Sequence, residues 1–423
     1  MKQNEFQIEK LLALEILDSR GRPTVRATCE LQNGVIAHAS IPSGASTGAA
    51  EAIELRDGDA ARYNGLGCLK AVANIEGELN KLLAGKNWTQ NSLDAAMIEC
   101  DGTPQKSRLG ANAILAVSIA FARAASLENA QPLHAYFSSL SGGAGSTLPR
   151  PTINLWSGGK HAGGQVPIQD VLLVPLAAKT MDEALATVYA VYQAAIKLSQ
   201  KKYAMRALTA DEGGLAPPFP DAETMLADAV TAIENAGFAA GRDVALAIDV
   251  ASSHFYEDEK YDLSGEKLGS EHMIARLQKW LENYPIISIE DGLAENDWEN
   301  WPRLKTVLAG RALTLGDDLL CTNPARIERA IETKAADALL LKVNQIGTLS
   351  EAAAALKLAR GANWKVVVSA RSGETEDDWL ADLAAGWNGD FIKIGSITQS
   401  ERLAKYNRLL ELEKREGLVF GGN

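Results

Sequence analysis

Apolar and polar positions change rhythm along this chain of 423 residues. In TVRATCELQNGVIAHASI, Val25, Ala27, Cys29 and Leu31 alternate with Arg26, Thr28, Glu30 and Gln32, and Asn33-Gly34 then turns the chain into a second strand. This predicts a hairpin with one buried face. Downstream, LGANAILAVSIAFARAAS is apolar on most sides and predicts a helix buried under the hairpin sheet. Arg108 and Arg123 interrupt it too much for a membrane span. In the second half, short β-rich runs (VALAID, IISIE, ALTLGD, LLLKVN, VVVSARSGE and FIKIGS) alternate with helical patterns, as repeated βα units require. One helix opens where Thr322 or Asn323 can cap it and Pro324 suits the first turn; another opens near Thr348 or Ser350 and stops before Gly361. SLSGGAGSTLPRP, Ser139 to Pro151, reads as a linker. The predicted order is an α+β domain over residues 1–138, a linker over 139–151 and an α/β barrel over 152–423.

Composition agrees with two soluble globular domains, since 46% of residues are apolar and 23% charged. The net charge of -12 argues against a nucleic-acid surface but leaves room for a local basic pocket that takes a small anion. No apolar run approaches the eighteen or so residues of a bilayer span, and MKQNEFQIEKLLALEILD has no signal-peptide core. No membrane partner and a cytoplasmic location are therefore expected. Cys29, Cys68, Cys100 and Cys321 match neither a zinc spacing nor a disulfide framework and are expected to be packing residues.

Candidate chemistry lies at the strand ends. In a barrel the C-terminal ends of the strands converge on one mouth, so Asp249, Glu290 and Asp317 can reach a common point where a divalent cation would bind. The next runs deliver Lys342, then Arg371 and Ser372, then Lys393. Each residue alone has an ordinary reading, as a helix cap or a paired structural charge. Together they favour a site, because crowded carboxylates repel one another unless a cation or basic side chains neutralise them.

With these residues placed, the chain resembles the enolase family from end to end. The matching segments, in order, are LDSRGRPT, IPSGASTG, ELRDGD, GANAILAVSIAFARA, ADEGGLAPPF, SIEDGLAENDW, LGDDL, LKVNQIGTLSEA, RSGETED and ERLAKYNRLLELE. The resemblance implies an N-terminal domain of three strands and four helices, and an enolase-like (β/α)8-type barrel whose first strands depart from plain βα alternation. It also implies Mg2+-dependent, reversible dehydration of 2-phosphoglycerate, a small phosphorylated carboxylic acid, to phosphoenolpyruvate by a homodimer or higher homo-oligomer.

Site roles follow by the same resemblance. Asp249, Glu290 and Asp317 match the metal ligands, and Ser43, in the loop IPSGASTG that is expected to be mobile, helps hold a second Mg2+. Lys342 matches the general base, with a pKa expected to be lowered by the metal, by Lys393 and by burial. Glu212 matches the general acid, with Asp170 as its neighbouring carboxylate beside Gln169. Lys393 matches the group on the substrate carboxylate, Arg371 and Ser372 match the phosphate-binding pair, and His161 matches a substrate contact. From the residues alone, a single histidine in GGKHAGG reads first as a solvated loop residue.

Departures from the family pattern gather around the substrate. Asp170 stands where the family has Glu, Ala370 where Ser-His-Arg-Ser has His, and Ala49-Ala50 removes a second imidazole. Gly163, Gly164, Gln165 and Pro167 replace polar or acidic loop residues. The alternative reading is therefore a divergent enolase paralogue acting on a modified or phosphonate-bearing substrate in specialised metabolism.

Overall fold

The computed structural model describes residues 4–45, 48–143, 145–204 and 208–420. Its first three strands, β1 (Phe6–Leu17), β2 (Pro23–Leu31) and β3 (Ile36–Ser40), form an antiparallel meander. The predicted turn is closed by Leu31 N–H donating to Val35 O at 2.8 Å, and Gly34 supplies the required positive φ of 89°. Val25, Ala27, Cys29 and Leu31 are buried as the alternation predicts. A short β4 (Asn87–Trp88) pairs with Phe6 and Gln7, so the sheet has four strands in the order β3-β2-β1-β4, not the expected three.

The four expected helical segments are present. α1 (Leu69–Asn74), a π-helical turn (Ile75–Leu79) and α2 (Asn80–Leu83) run on without a break, followed by α3 (Gln90–Asp101), α4 (Ala111–Glu128) and α5 (Leu133–Ser141). By length and composition α4 passes for a membrane span after all, yet 83% of it is buried inside the molecule. It packs on β2 and β3. Arg108 lies outside the helix, and Arg123 donates to His38 O at 2.7 Å while pairing with Asp377 and Asp378.

After α5 the chain passes to β5 (Arg150–Ser157), the first barrel strand. β6 (Asp170–Val174) and β7 (Ala245–Asp249) follow, then a small antiparallel sheet of β8 (Tyr256–Glu257), β9 (Lys260–Leu263) and β10 (Glu266–Leu268). β11 (Ile286–Glu290), β12 (Leu313–Gly316), β13 (Ala338–Leu341), β14 (Lys365–Ser369) and β15 (Phe391–Gly395) complete a closed eight-stranded barrel in which β15 pairs with β5. All neighbouring barrel strands are parallel except those flanking β6, which runs against both β5 and β7. This is the expected departure from βα alternation.

The outer helices are α6 (Met181–Tyr203), α7 (Ala222–Asn235), α8 (Ser270–Asn283), α9 (Trp301–Leu308), α10 (Pro324–Thr333), the single turn α11 (Val343–Ile346), α12 (Leu349–Gly361), α13 (Trp379–Gly386) and α14 (Ser400–Glu416). Asn323, not Thr322, caps α10 by accepting from Ala325 N and Arg326 N at 3.0 and 3.4 Å. Thr348 caps α12 through Glu351 N, and that helix includes Gly361 where a stop before it was expected. The N-terminal domain is pinned over the barrel mouth: Ser43 and Gly373 exchange two backbone hydrogen bonds of 2.8 and 2.9 Å, and Lys106 Nζ meets Glu351 Oε1 at 2.9 Å.

Candidate active site

Because β6 is reversed, its first residue, not its last, lies at the mouth reached by the C-terminal ends of the other strands. Register then sets Asp170 beside Asp249 and Asp249 beside Glu290 on three adjacent strands. All three are buried. Lys393, at the end of β15, donates from Nζ to Asp249 Oδ2 at 2.9 Å and to both Glu290 oxygens at 2.8 and 2.7 Å. Gln169 Nε2 also donates to Asp249 Oδ2, at 3.0 Å. Asp317, just past β12, is held by Lys342 Nζ and by Gln345 Nε2, the latter at 2.8 Å.

Reading one acid per strand end overlooks Asp291, which follows Glu290 directly. Its two oxygens accept from Asp317 N and Asp318 N at 3.0 and 2.7 Å, fixing the turn that carries Asp317. One ligand atom from each of Asp291, Asp317 and Asp318 lies within 4.8 Å of the others. Gln345 and Thr322 are further supports that the strand-end rule does not find. Thr322 Oγ1 donates to Gln345 Oε1 at 2.8 Å and accepts from Lys342 N at 2.9 Å.

So many buried acids do not all ionise together. Burial, then the charge of Asp249, raises Glu290 well above the usual carboxylate range; burial and Asp318 do the same to Asp291, and Asp318 itself is raised to about 8 by burial and Asp317. Asp249 is held at about 2, because Lys393 outweighs its burial. The excess of hard carboxylate oxygens, a lysine ammonium lodged between Asp249 and Glu290, and a buried Gln169 Oε1 with no hydrogen-bond partner all fit a divalent metal ion. Burial and Lys393 pull the Lys342 pKa down as expected, but in the protein alone the adjacent Asp317 more than offsets them and raises the lysine.

The opposite wall carries a second cluster. His161 is buried, not solvated, with Nδ1 2.9 Å from Asp170 Oδ2 and Nε2 3.7 Å from Glu212 Oε1. Burial works against the imidazolium, but Asp170 and Glu212 win and lift its pKa to about 9. Glu212 is correspondingly held at about 2 by His161 and then Arg402, against its burial. The residue expected to act as an acid is thus ionised here, and its imidazole neighbour holds the proton. Two polar supports escaped the sequence reading because nothing in their apolar strand marks them: Ser157 Oγ donates to Asp170 Oδ1 at 2.6 Å, and Asn154 Nδ2 to Glu212 Oε2 at 3.1 Å.

Arg371 and Ser372 stand between the two clusters. Ser372 Oγ lies 3.1 Å from His161 Nε2. Arg371 donates from Nη1 to Glu51 Oε2 at 3.0 Å and to Asn344 Oδ1 at 2.8 Å. Glu51 comes from the N-terminal domain, immediately after Ala49-Ala50. Ser43 is not brought to the carboxylates: its Oγ donates to Glu54 Oε2 at 2.8 Å and accepts from Arg56 Nη2 at 2.7 Å. It is buried in an antiparallel bridge with Gly373, so the loop is not wholly irregular at that residue; Ser46 and Thr47 of the same loop lie outside the described residues.

His161, Gln169, Glu212, Asp249, Lys342, Ala370, Arg371, Ser372 and Lys393 line one pocket. Residues from both clusters, with the basic groups Lys342, Arg371 and Lys393, thereby share a single pocket. Two family models match the chain: "Enolase, N-terminal domain" over residues 8–137 and "Enolase, C-terminal TIM barrel domain" over residues 145–420.

Proposed function

As the chain belongs to the enolase family and carries both of its domains, we propose that this lyase catalyses the reversible dehydration of 2-phosphoglycerate to phosphoenolpyruvate with Mg2+ as its divalent ion. The observation that carries this reading is that Lys342 and Glu212 line the same pocket as Lys393 and Arg371. Asp249, Glu290 and Asp317 would hold the Mg2+, which would supply Lewis-acid stabilisation of charge developing on the substrate carboxylate. Lys393 binds that carboxylate, and Arg371 with Ser372 binds the phosphate through a guanidinium fork and a hydroxyl. Lys342 removes the weakly acidic proton beside the carboxylate, which requires that it first lose its own proton and its hold on Asp317. The departing hydroxide needs a proton, and the His161, Glu212 and Asp170 group holds one on the imidazole.

The assay is direct. Purified protein with saturating Mg2+ and 2-phosphoglycerate should develop the ultraviolet absorbance of phosphoenolpyruvate, and its absence under those conditions removes this substrate.

The second reading, a paralogue for a modified or phosphonate-bearing substrate, is favoured by Ala370. It lines the pocket beside Arg371 and offers a methyl group where the family pattern has an imidazole. On this reading Ala370→His, particularly with Asp170→Glu, raises turnover of 2-phosphoglycerate by restoring transition-state contacts. Native turnover on the order of ten per second, only slowed by the two reversions, overturns it. We also propose a cytoplasmic homodimer, for which support comes from Leu12, Leu14 and Leu17 on β1, 39%, 51% and 53% exposed. Light scattering reads its mass.

A further inference from the structure

α14 carries a fully buried guanidinium that neither wall of the pocket exposes. Arg402 donates from Nη1 to Arg371 O at 2.7 Å and to Ile394 O at 2.9 Å, and from Nη2 to Ser372 O. Among the described residues it pairs with the carboxylate of Glu401, 3.4 Å from Nε, and its charge also acts on Glu212. The approach is close enough to demand a glycine at the end of β15: at Gly395, φ +120°, a Cβ would sit 2.9 Å from both Arg402 Cδ and Glu212 O. One side chain therefore ties together the backbone of Arg371, the backbone of Ser372 and the strand end beyond Lys393.

We propose that Arg402 is a positioning residue, which sets the anion-binding geometry of Arg371 and Ser372 by holding their two carbonyl groups and that of Ile394 on one planar fork. The argument rests on the reading of Arg371 and Ser372 as the phosphate-binding pair. A guanidinium can satisfy three carbonyl acceptors at fixed angles, whereas a lysine ammonium is a point charge on a flexible stem. Removing the fork leaves buried carbonyls short of donors, and the 371–372 backbone relaxes to find others. Its side chains then no longer converge on one tetrahedral anion. Because Arg402 touches neither pocket nor substrate, the loss falls on binding of the phosphoryl group.

The test compares native protein with Arg402→Lys, Arg402→Met and a control, Tyr406→Phe. The control, on the same helix as Arg402, removes the bond of 2.8 Å from Tyr406 Oη to Gly395 O at the end of β15 and keeps the guanidinium fork. Calorimetry with inorganic phosphate in the presence of Mg2+ reads the anion site without any turnover, and kcat and KM for 2-phosphoglycerate are measured beside it. Both Arg402 variants should lose about tenfold or more in phosphate affinity, with KM rising by a similar factor and kcat falling less. Tyr406→Phe should lower thermal stability and keep both constants. Arg402→Lys, the milder change, decides the matter if Arg402→Met does not fold. A lysine variant with native phosphate affinity overturns the proposal, as does a control that loses affinity equally. Protein whose phosphate affinity falls in the Arg402 variants but which never turns over 2-phosphoglycerate loses the substrate assignment and keeps this one.

Discussion

At the scale of single residues, the pocket separates two proton inventories. Lys342 sits against Asp317 on one wall and His161 between Asp170 and Glu212 on the other. Lys342→Ala should therefore abolish both exchange of the substrate α-proton in deuterated water and elimination. Glu212→Gln should retain some exchange while losing elimination by about a thousandfold. Proton NMR reads the first and absorbance the second; equal loss of exchange in both variants sinks the division of labour. His161 makes a pH prediction. Its folded pKa is raised from 6.5 to about 9, so its stabilising contribution is complete below pH 6.5 and is lost as pH rises through about 9. Urea unfolding of native protein should show that decline, and His161→Gln should flatten it. A His161 imidazole that NMR finds neutral at pH 7 defeats the claim.

Among elements, what the sequence made legible depended on whether one rule governed a whole segment. The hairpin of β2 and β3 keeps strict alternation, and the barrel strands end in chemistry-bearing residues, so both could be read directly. β1 could not. Its register shifts between Ile8 and Lys10, so Phe6 and Ile8 face the core in one phase and Leu11 in the other, and Leu12, Leu14 and Leu17 stay exposed. A bulge plus an apolar outer face erases a period of two. Arg402 was equally invisible, since a charged residue within α14 reads as a solvated face and only the packing shows it buried. Thr322 and Asn323 show the limit at one helix end. Both are capping residues, but only Asn323 caps, while Thr322 is turned inward to Gln345. Asn323→Ala should cost about 1 kcal/mol of stability with turnover unchanged. Thr322→Val should cost about 2 kcal/mol, because it strands a buried amide oxygen, and should lower turnover as well. Matched denaturant and kinetic measurements decide, and the reverse ranking would mean that the capping roles are misassigned.

For the whole molecule, the site belongs to both domains. Glu51 reaches from one into the other to meet Arg371, with both side chains buried. Breaking such a pair leaves a buried charge poorly compensated, so Glu51→Ala should destabilise the protein by about 3 kcal/mol. The two domains should still unfold in a single calorimetric transition, because Ser43, Lys106 and the segment at Ala52 also cross the boundary. A change under about 0.5 kcal/mol, the range of ordinary surface substitutions, would remove Glu51 from the list of domain locks.

The position of Arg402 also bears on when a newly made chain becomes competent. Synthesis reaches every metal-facing acid, both pocket lysines and Arg371 before it reaches α14 (Ser400–Glu416). A nascent chain that has just released Gly395 holds all of those groups, yet the fork that ties Arg371, Ser372 and Ile394 has not been made. Closure of β15 on β5 joins segments from opposite ends of the barrel, a long-range pairing that also forms late. α14, made after all of those groups, thus acts as the arming step, and a chain cut short before it would carry the chemistry without the means to hold its anion.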